Sequence, residues 1–421
     1  MSFPEPGGLR LHEWFKPPVV AVAFLVLAAG FGQFGAVAAL GDVAESLGEV
    51  RNGDTIAERA GLSGTALGVG LAIIRVASLL SLPLSGLADR VGRRRTLLLF
   101  CAAGLVLTAA ASLSPTYWWF VAVFAASRPL LTATDTIGEV SAAEQTGAAD
   151  RAKAIALLAA AYGIGSGLIA VVRGPAAGVI GFRGVFALAL VPALLVPFAA
   201  RRVSEPDRFR AAGASEERPL PVLGAMGAPF RRRLGVVAAL VFAVALITGP
   251  ANSFVFVYAE NVLGLSAAAT AGMVVAAAPA GLAGLLLGRW AADTLGRRGT
   301  GAMAMGMMAV AGIVTYSGAR AAVVAGYLGA VAAGSMFAPA AGAMAAELFP
   351  TEVRAAVAGW SVAAGVVGAV VGLMAFGAMA DAYEEFGRAA LALFPPAAAA
   401  AALFSLLPET KGRELEEWER D

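Results

Sequence analysis

The sequence consists largely of long apolar runs separated by short charged turns. A helix needs about 20 mostly apolar residues to cross a hydrocarbon core of roughly 30 Å. Hydrophobic residues make up 59% of the 421 residues and charged residues only 14%, whereas a soluble domain has about 25% charged residues. We therefore predict an all-α integral membrane protein with twelve spanning helices, α1 to α12, at 18–41, 64–87, 96–113, 116–143, 152–173, 182–200, 233–259, 265–290, 300–317, 321–346, 355–380 and 386–407.

The rare residue types exclude several classes of protein. The one cysteine, Cys101, lies in an apolar run, and the one histidine, His12, lies in the N-terminal tail. This excludes a metal site built from histidine and cysteine. The chain has no phosphate-binding G-x-x-x-x-G-K-[ST] loop and no serine nucleophile motif. We therefore expect no enzyme, no cofactor and no nucleic-acid partner.

A charged, proline-rich linker at 201–232 separates two sets of six helices. The predicted domains are an N-terminal bundle at 1–200 and a C-terminal bundle with its tail at 233–421. If the N terminus lies inside, 23 of the 31 Lys and Arg residues fall on the cytoplasmic side, the side on which basic loops are enriched. We predict a multi-pass protein of the plasma (inner) membrane with both termini in the cytoplasm.

Two motifs recur in the second half of the chain. ADRVGRRRT at 88–96 returns as ADTLGRRGT at 292–300, an offset of 204 residues. AEQTGAADRA at 143–152 returns as AELFPTEVRA at 346–355, an offset of 203 residues. Two motifs at nearly one offset indicate a duplicated six-helix unit with parallel topology.

These motifs resemble those of the major facilitator superfamily. The residues from Asp89 to Arg94 are similar to its signature loop between α2 and α3, although Ser85 stands where the signature has glycine. ELFPTEVRA and the tail PETKGRELEE resemble sugar porters and organic-ion carriers. The resemblance implies two six-helix bundles, a monomeric secondary transporter, and a cytoplasmic gate that clamps the halves together when the inner mouth is closed.

By the same resemblance, ten charged residues form this gate. They are Asp89, Arg93, Arg94, Glu144 and Arg151 in the first half, and Asp293, Arg297, Arg298, Glu347 and Arg354 in the second. The alternative is that the basic residues only fix the orientation of the helices. Gly92 and Gly296 are expected to permit a tight turn within each motif.

Charged residues within the predicted helices point to a binding site. A charge at the bilayer centre costs about 2.5–3.5 kcal/mol, so it is expected to face a cavity or a partner. On α4, Arg128, Thr132, Asp135 and Glu139 fall within about 60° of one another, and Arg75 lies near the middle of α2. Arginines suit a carboxylate or phosphate, whereas Asp135 or Glu139 can carry a coupling proton. The alternative is a structural ion pair between α2 and α4.

Three uncharged polar residues complete the predicted substrate site. They are Gln33 in α1, Tyr162 in α5 and Asn252 in α7, the last beside the Gly249-Pro250 step that is expected to break that helix. Each of them can instead serve helix packing. Arg173, near the outer end of α5, is expected to extend toward the membrane surface.

The sequence thus predicts a secondary active transporter of a small organic solute, with an anion favoured, that works by alternating access. Proton coupling, by symport or antiport, is expected, so the predicted partners are the solute, protons and the lipid bilayer. Two alternatives stay open. One is a proton antiporter that exports cationic or amphipathic compounds, and the other is a non-transporting membrane sensor on the same fold.

Overall fold

The computed structural model describes residues 13–50, 55–205, 228–349 and 351–411. This part of the chain is almost entirely helical and contains no strand. Ten of its helices are long and apolar enough to cross a membrane. Two further long helices, α4 and α9, are not among these ten, and with them each half contains six helices. The predicted linker falls mostly on 206–227, outside the described residues, so the domain boundaries stay a prediction.

The helix bounds agree with the predicted spans to within a few residues at most ends. The first half contains Pro17–Ala38 (α1), Gly64–Ala77 continued by Ser81–Val91 (α2), Arg93–Ala110 (α3), Tyr117–Gln145 (α4), Ala148–Ala187 (α5 and the start of α6) and Leu190–Ala200 (the rest of α6). The second half contains Ala228–Ser253 (α7), Ala267–Thr294 (α8), Arg297–Thr315 (α9), Arg320–Glu347 (α10), Thr351–Tyr383 (α11) and Phe386–Ala399 (α12).

Glycines set three of the helix junctions. Gly92 (φ 109°) lies between α2 and α3, Gly296 (φ 97°) lies between α8 and α9, and Gly181 (φ 59°) separates α5 from α6. Backbone with such positive φ is favourable for glycine because it lacks a Cβ. The two charged motifs are therefore tight turns, as their glycines predict.

The irregular part of α7 lies beyond the proline that was expected to cause it. The helix continues through Pro250 to Ser253, and a short turn, Val255–Val257, and a π-helical turn, Tyr258–Val262, follow. The Tyr316 hydroxyl donates to the carbonyls of Pro250 and Ala251 at 3.1 and 3.2 Å. The surrounding helices thus support the backbone near the proline, and the helix loses regularity one turn later.

The two halves meet through α2 with α11 and α5 with α8. Small residues permit this approach: a Cβ on Gly68 would collide with the backbone carbonyl of Leu373. The Ser81–Val91 part of α2, by contrast, packs mainly on α3 and α4 of its own half. We call the end that carries Gly92 and Gly296 the basic end, and the end where the halves are joined the closed end.

Candidate functional site

α1 and α4 are joined by a polar contact near the middle of α4. The Nη1 of Arg128 donates to the backbone carbonyl of Gln33 at 3.3 Å, and the Thr132 hydroxyl donates to Oε1 of Gln33 at 3.3 Å. Gln33 is buried, at 3% exposure. The Nε of Arg128 is also buried and has no hydrogen-bond partner among the described residues, so this guanidinium keeps donor capacity for another molecule.

Arg75 and Tyr162 bring α2 and α5 to the same place. Arg75 lies close enough to Arg128 for their charges to interact, and Tyr162 interacts electrostatically with both. We call Gln33, Arg75, Arg128, Thr132 and Tyr162 the arginine cluster. Five of the six predicted substrate-site residues thus meet in the N-terminal half.

The arginine cluster contains no compensating carboxylate within the described part of the chain. Arg75 and Arg128 form no salt bridge with any acidic residue described. The described residues therefore form no ion pair between α2 and α4, which was the structural alternative. Instead two cations lie close enough for their charges to interact, and an anion bound near both would be stabilised.

The two acidic residues of α4 lie on the basic side of the cluster. Asp135 follows Arg128 by seven residues, about 10 Å along a helix axis, and Glu139 lies one turn further. Their carboxyl groups are close enough to interact with each other. The predicted polar stripe is thus present on α4, with Arg128 at one end and the two carboxylates toward the basic end.

Asn252 does not join this cluster. It lies at the end of the regular part of α7 with an exposed side chain, and it has no hydrogen bond to another described residue. Asn252 therefore has no hydrogen bond to the other five predicted residues among those described, and its role in substrate binding stays a prediction.

The charged motifs at the basic end pair within each half. Arg93 bridges Glu144 at 2.8 Å, and Arg297 bridges Glu347 at 3.5 Å and Asp293 at 3.2 Å. These bonds tie α3 to α4 and α9 to α10. The clamp between halves that the resemblance implies is not formed among the described residues in this state, because the helices at this end pack mainly within their own half.

Two other predicted gate residues, Arg151 and Arg94, donate to backbone carbonyls of their own half. The Nε of Arg151 donates to the carbonyl of Ala143 at 3.2 Å, which closes the turn between α4 and α5. Arg94 donates to the carbonyls of Val203 and Ala200 at 2.8 and 2.9 Å. The side chains of Asp89 and Arg354 lie outside the described residues.

Two glutamates that the charged motifs did not predict cap the two charged turns. Glu205 accepts hydrogen bonds from the backbone N–H groups of Arg93 and Arg94 at 2.6 and 3.1 Å. Glu409 accepts from those of Arg297 and Arg298 at 2.9 and 3.2 Å. The two carboxylates neutralise the N-terminal ends of α3 and α9.

The repeat carried the signal for these two caps. Glu205 and Glu409 are separated by 204 residues, the same offset as the two charged turns. Partial burial disfavours the charged form of Glu409, but hydrogen bonds from the N–H groups of Arg297, Arg298, Lys411 and Thr410 outweigh it and hold the pKa of this carboxyl below its usual range.

A second missed group joins the halves at the closed end. Arg173 of α5 is 2% exposed, and its guanidinium donates to both carboxylate oxygens of Asp42 at 2.7 Å and to Oε1 of Glu260 at 2.7 Å. The Thr270 hydroxyl donates to the same Glu260. The expectation that Arg173 extends to the membrane surface is therefore wrong, because two carboxylates hold it inside the protein.

Asp381 makes the matching contact between α11 and α2. Its Oδ1 accepts from the N–H of Gly64 at 2.7 Å, and its Oδ2 accepts from the N–H and hydroxyl of Thr65 at 2.8 and 2.6 Å. A carboxylate at a helix N-terminus is stabilised by the helix dipole. Asp42, Glu260 and Asp381 could have been suspected from sequence, since each follows a long apolar run directly.

Two repeated six-helix bundles, bonded across one end and enclosing intramembrane charge, define a membrane transport protein rather than an enzyme. The family model of the Major Facilitator Superfamily matches residues 22–331, and the model described as Sugar (and other) transporter matches residues 302–421. The chain belongs to the Major Facilitator Superfamily. This confirms the fold that the sequence motifs implied.

Solved structures of transporters share this fold. The xylose transporter XylE from E. coli, in its inward open conformation, is 20% identical, with a TM-score of 0.69 over 95% of this chain and 98% of that one. A bacterial homologue of the human lysosomal transporter Spinster, inward-facing and occupied, is 15% identical, with a TM-score of 0.71 over 92% and 95%. The nucleoside transporter NupG is 12% identical, with a TM-score of 0.72 over 92% and 99%.

No curated protein sequence matches this chain significantly.

Proposed function

We propose that this protein is a secondary transporter of a small organic anion, bound at the arginine cluster. The observation that carries the proposal is that Arg75 and Arg128 lie near each other and that neither has a carboxylate partner among the described residues. Two neighbouring like charges repel each other, and a bound carboxylate or phosphate removes that repulsion. Tyr162 and Thr132 add hydroxyl groups that can orient the ligand.

The acidic residues of α4 support coupling to protons. Asp135 and Glu139 lie between the cluster and the basic end, so a substrate leaving by that end passes them. A carboxylate repels an anion, whereas a protonated carboxyl does not. Proton binding at Asp135 or Glu139 would therefore lower the barrier to anion movement along α4.

The charged contacts fit an alternating-access cycle. At the closed end, Arg173 binds Asp42 and Glu260 across the halves. At the basic end, the charged pairs stay within their halves. When the closed end opens, the contacts of Arg173 must separate. The charged residues of the basic end are then proposed to clamp the halves together. From the excess of basic residues, we propose that the basic end and both termini lie in the cytoplasm. From the family resemblance, we propose a monomer in the plasma membrane.

The exporter of cations is the second candidate that the sequence left open. It requires Asp135 and Glu139 to face a ligand while Arg75 and Arg128 are paired elsewhere. The unpaired arginines make this the weaker candidate. Xylose and nucleosides, the substrates after which the transporters XylE and NupG are described, need no arginine pair.

The test is solute-driven proton movement in proteoliposomes that contain a pH-sensitive dye. The panel comprises mono- and dicarboxylates, phosphorylated solutes, neutral sugars, nucleosides and lipophilic cations. We expect a pH change with one class of anion, abolished in Arg128→Gln and kept in Arg95→Gln, which removes an exposed arginine outside the cluster. A response only to sugars, nucleosides or cations would overturn the anion proposal. Binding without flux would indicate a sensor.

A further inference from the structure

An apolar groove lies between α1 and α6 at the basic end. Its cavity of about 620 Å³ is lined by ten residues, eight of them apolar, including Phe15, Phe24 and Leu195. The remaining two, Arg201 and Arg202, lie together at the end of α6. Phe15 and Leu195 are 49% and 43% exposed, so the groove offers an apolar wall to the surrounding lipid.

A second groove occupies the equivalent position in the other half. It lies between α7 and the end of α12, has a volume of about 430 Å³, and is lined by Arg232 and Arg233 together with Val236, Leu406 and Leu407. Both grooves thus lie between the first and last helices of a half. Both combine an apolar wall with two adjacent arginines.

The arginines of the two grooves are held in a similar way. The guanidinium of Arg201 lies 5.3 Å from the centre of the Phe198 ring, and that of Arg233 lies 5.6 Å from the Phe230 ring. Such cation–π contacts orient a guanidinium without neutralising its charge. Neither Arg201 nor Arg202 forms a salt bridge with an acidic residue in the described part of the chain.

We propose that each groove binds an anionic phospholipid, with the phosphate on the arginine pair and an acyl chain along the apolar wall. The charge of the arginines complements the headgroup, and basic pockets between helices at a membrane surface are suited to such lipids. A free phosphate ion would use the arginines but would gain nothing from the apolar wall. The proposal is independent of which solute the protein carries.

The first groove provides the cleaner test, because Arg233 of the second also donates to the carbonyl of Leu348. The full-length protein in detergent is titrated with phosphatidylglycerol or phosphatidylcholine, and bound lipid is counted by native mass spectrometry. We expect two phosphatidylglycerol sites. In Arg201→Gln/Arg202→Gln, one site should weaken by roughly five-fold for each arginine removed.

The matched control removes two exposed arginines of the basic end outside both grooves, in Arg95→Gln/Arg289→Gln. If this variant loses lipid equally, the binding is diffuse attraction and the proposal fails. A second variant, Leu195→Trp, fills the groove but keeps both arginines, and it should also lose one lipid. Unchanged binding in that variant, or displacement of the lipid by glycerol 3-phosphate alone, would contradict an acyl-chain site. Equal binding of phosphatidylcholine would contradict recognition of an anionic headgroup by the arginines.

Discussion

Arg173 and Glu260 are bonded across the two halves of the protein, with Nη1 of the arginine 2.7 Å from Oε1 of the glutamate. The same guanidinium holds Asp42 through two further bonds of 2.7 Å. Since α5 and α7 belong to different halves, the closed end cannot open while these bonds persist. Opening of this end therefore requires these hydrogen bonds to break.

Replacing Arg173 should open the closed end. In Arg173→Gln, Asp42 and Glu260 are left as neighbouring carboxylates, and removing one partner of a buried ion pair typically costs about 3–5 kcal/mol. We expect the population to shift toward a state in which the closed end is open. The measurement is the rate at which a membrane-impermeant maleimide, added at the closed end, labels a cysteine placed at Asn252.

The control for this experiment is Arg183→Gln. Arg183 donates to the carbonyls of Ser112 and Ser114 in its own half, so its loss should not change the labelling rate. The native Cys101 is buried and contributes little background. Equal labelling of both variants and the unmodified protein would show that Arg173 does not control the closed end.

Arg128 should determine substrate affinity. A hydrogen bond to a charged group contributes about 1.5–3 kcal/mol, so Arg128→Gln should weaken anion binding by roughly 10- to 150-fold. Arg128→Lys keeps the charge but loses the planar pair of donors. Its affinity for the anion should fall between that of the unmodified protein and that of Arg128→Gln. The measurement is equilibrium binding of the anion found in the flux panel, with size-exclusion profiles as the folding control. Unchanged affinity in Arg128→Gln would remove this residue from the site.

Asp135 should couple substrate movement to protons. In Asp135→Asn, the anion should still exchange across proteoliposomes at equal pH, because exchange does not require net proton movement. Substrate-driven acidification or alkalinisation should be lost. Glu139→Gln is the matched variant one turn away. If it, rather than Asp135→Asn, loses the pH signal, Glu139 is the coupling residue. If neither does, the transport is not coupled through α4.

Glu409 should hold the C-terminal tail only above acidic pH. Four backbone N–H groups hold its pKa below the ordinary value of 4.5, against the effect of partial burial. Its contribution to stability is therefore complete above about pH 4.5 and is lost as the pH falls through the lower pKa of the folded state. The protection of the amides at the start of α9 against hydrogen exchange, relative to the intrinsic rate at each pH, should decrease over that range. Glu409→Gln should show raised exchange already at neutral pH, with no further acid response from this group.

Gly68 should be needed for the contact between α2 and α11. A Cβ there meets the carbonyl of Leu373, whereas a Cβ on Gly86 of the same helix has no atom within 4 Å. Overpacking typically costs about 1–3 kcal/mol, so Gly68→Ala should destabilise the closed end. Gly86→Ala should be neutral or slightly stabilising, because alanine favours helix. Maleimide labelling at Asn252 and thermal unfolding distinguish the two. Equal labelling rates and equal unfolding temperatures of the two variants would refute the close contact between Gly68 and Leu373.

The sequence by itself determined the parts of this protein that depend on local chemistry. Apolar length located the spans, because a helix must satisfy its own backbone hydrogen bonds in lipid. The repeat identified both charged turns, and Gly92 and Gly296 adopt the positive φ that their positions predicted. The one-sided spacing of Arg128, Asp135 and Glu139 follows directly from helical periodicity.

The tertiary structure alone decided which charges have partners. Arg173 finds Asp42 and Glu260, which are 131 and 87 residues away in sequence, and no periodic pattern encodes such distant pairing. Arg75 and Arg128, by contrast, meet each other and no described carboxylate. Burial beside two carboxylates makes Arg173 a bond between the halves, and the absence of a described carboxylate partner makes Arg75 and Arg128 a candidate anion site. Both depend on how the helices are arranged in space.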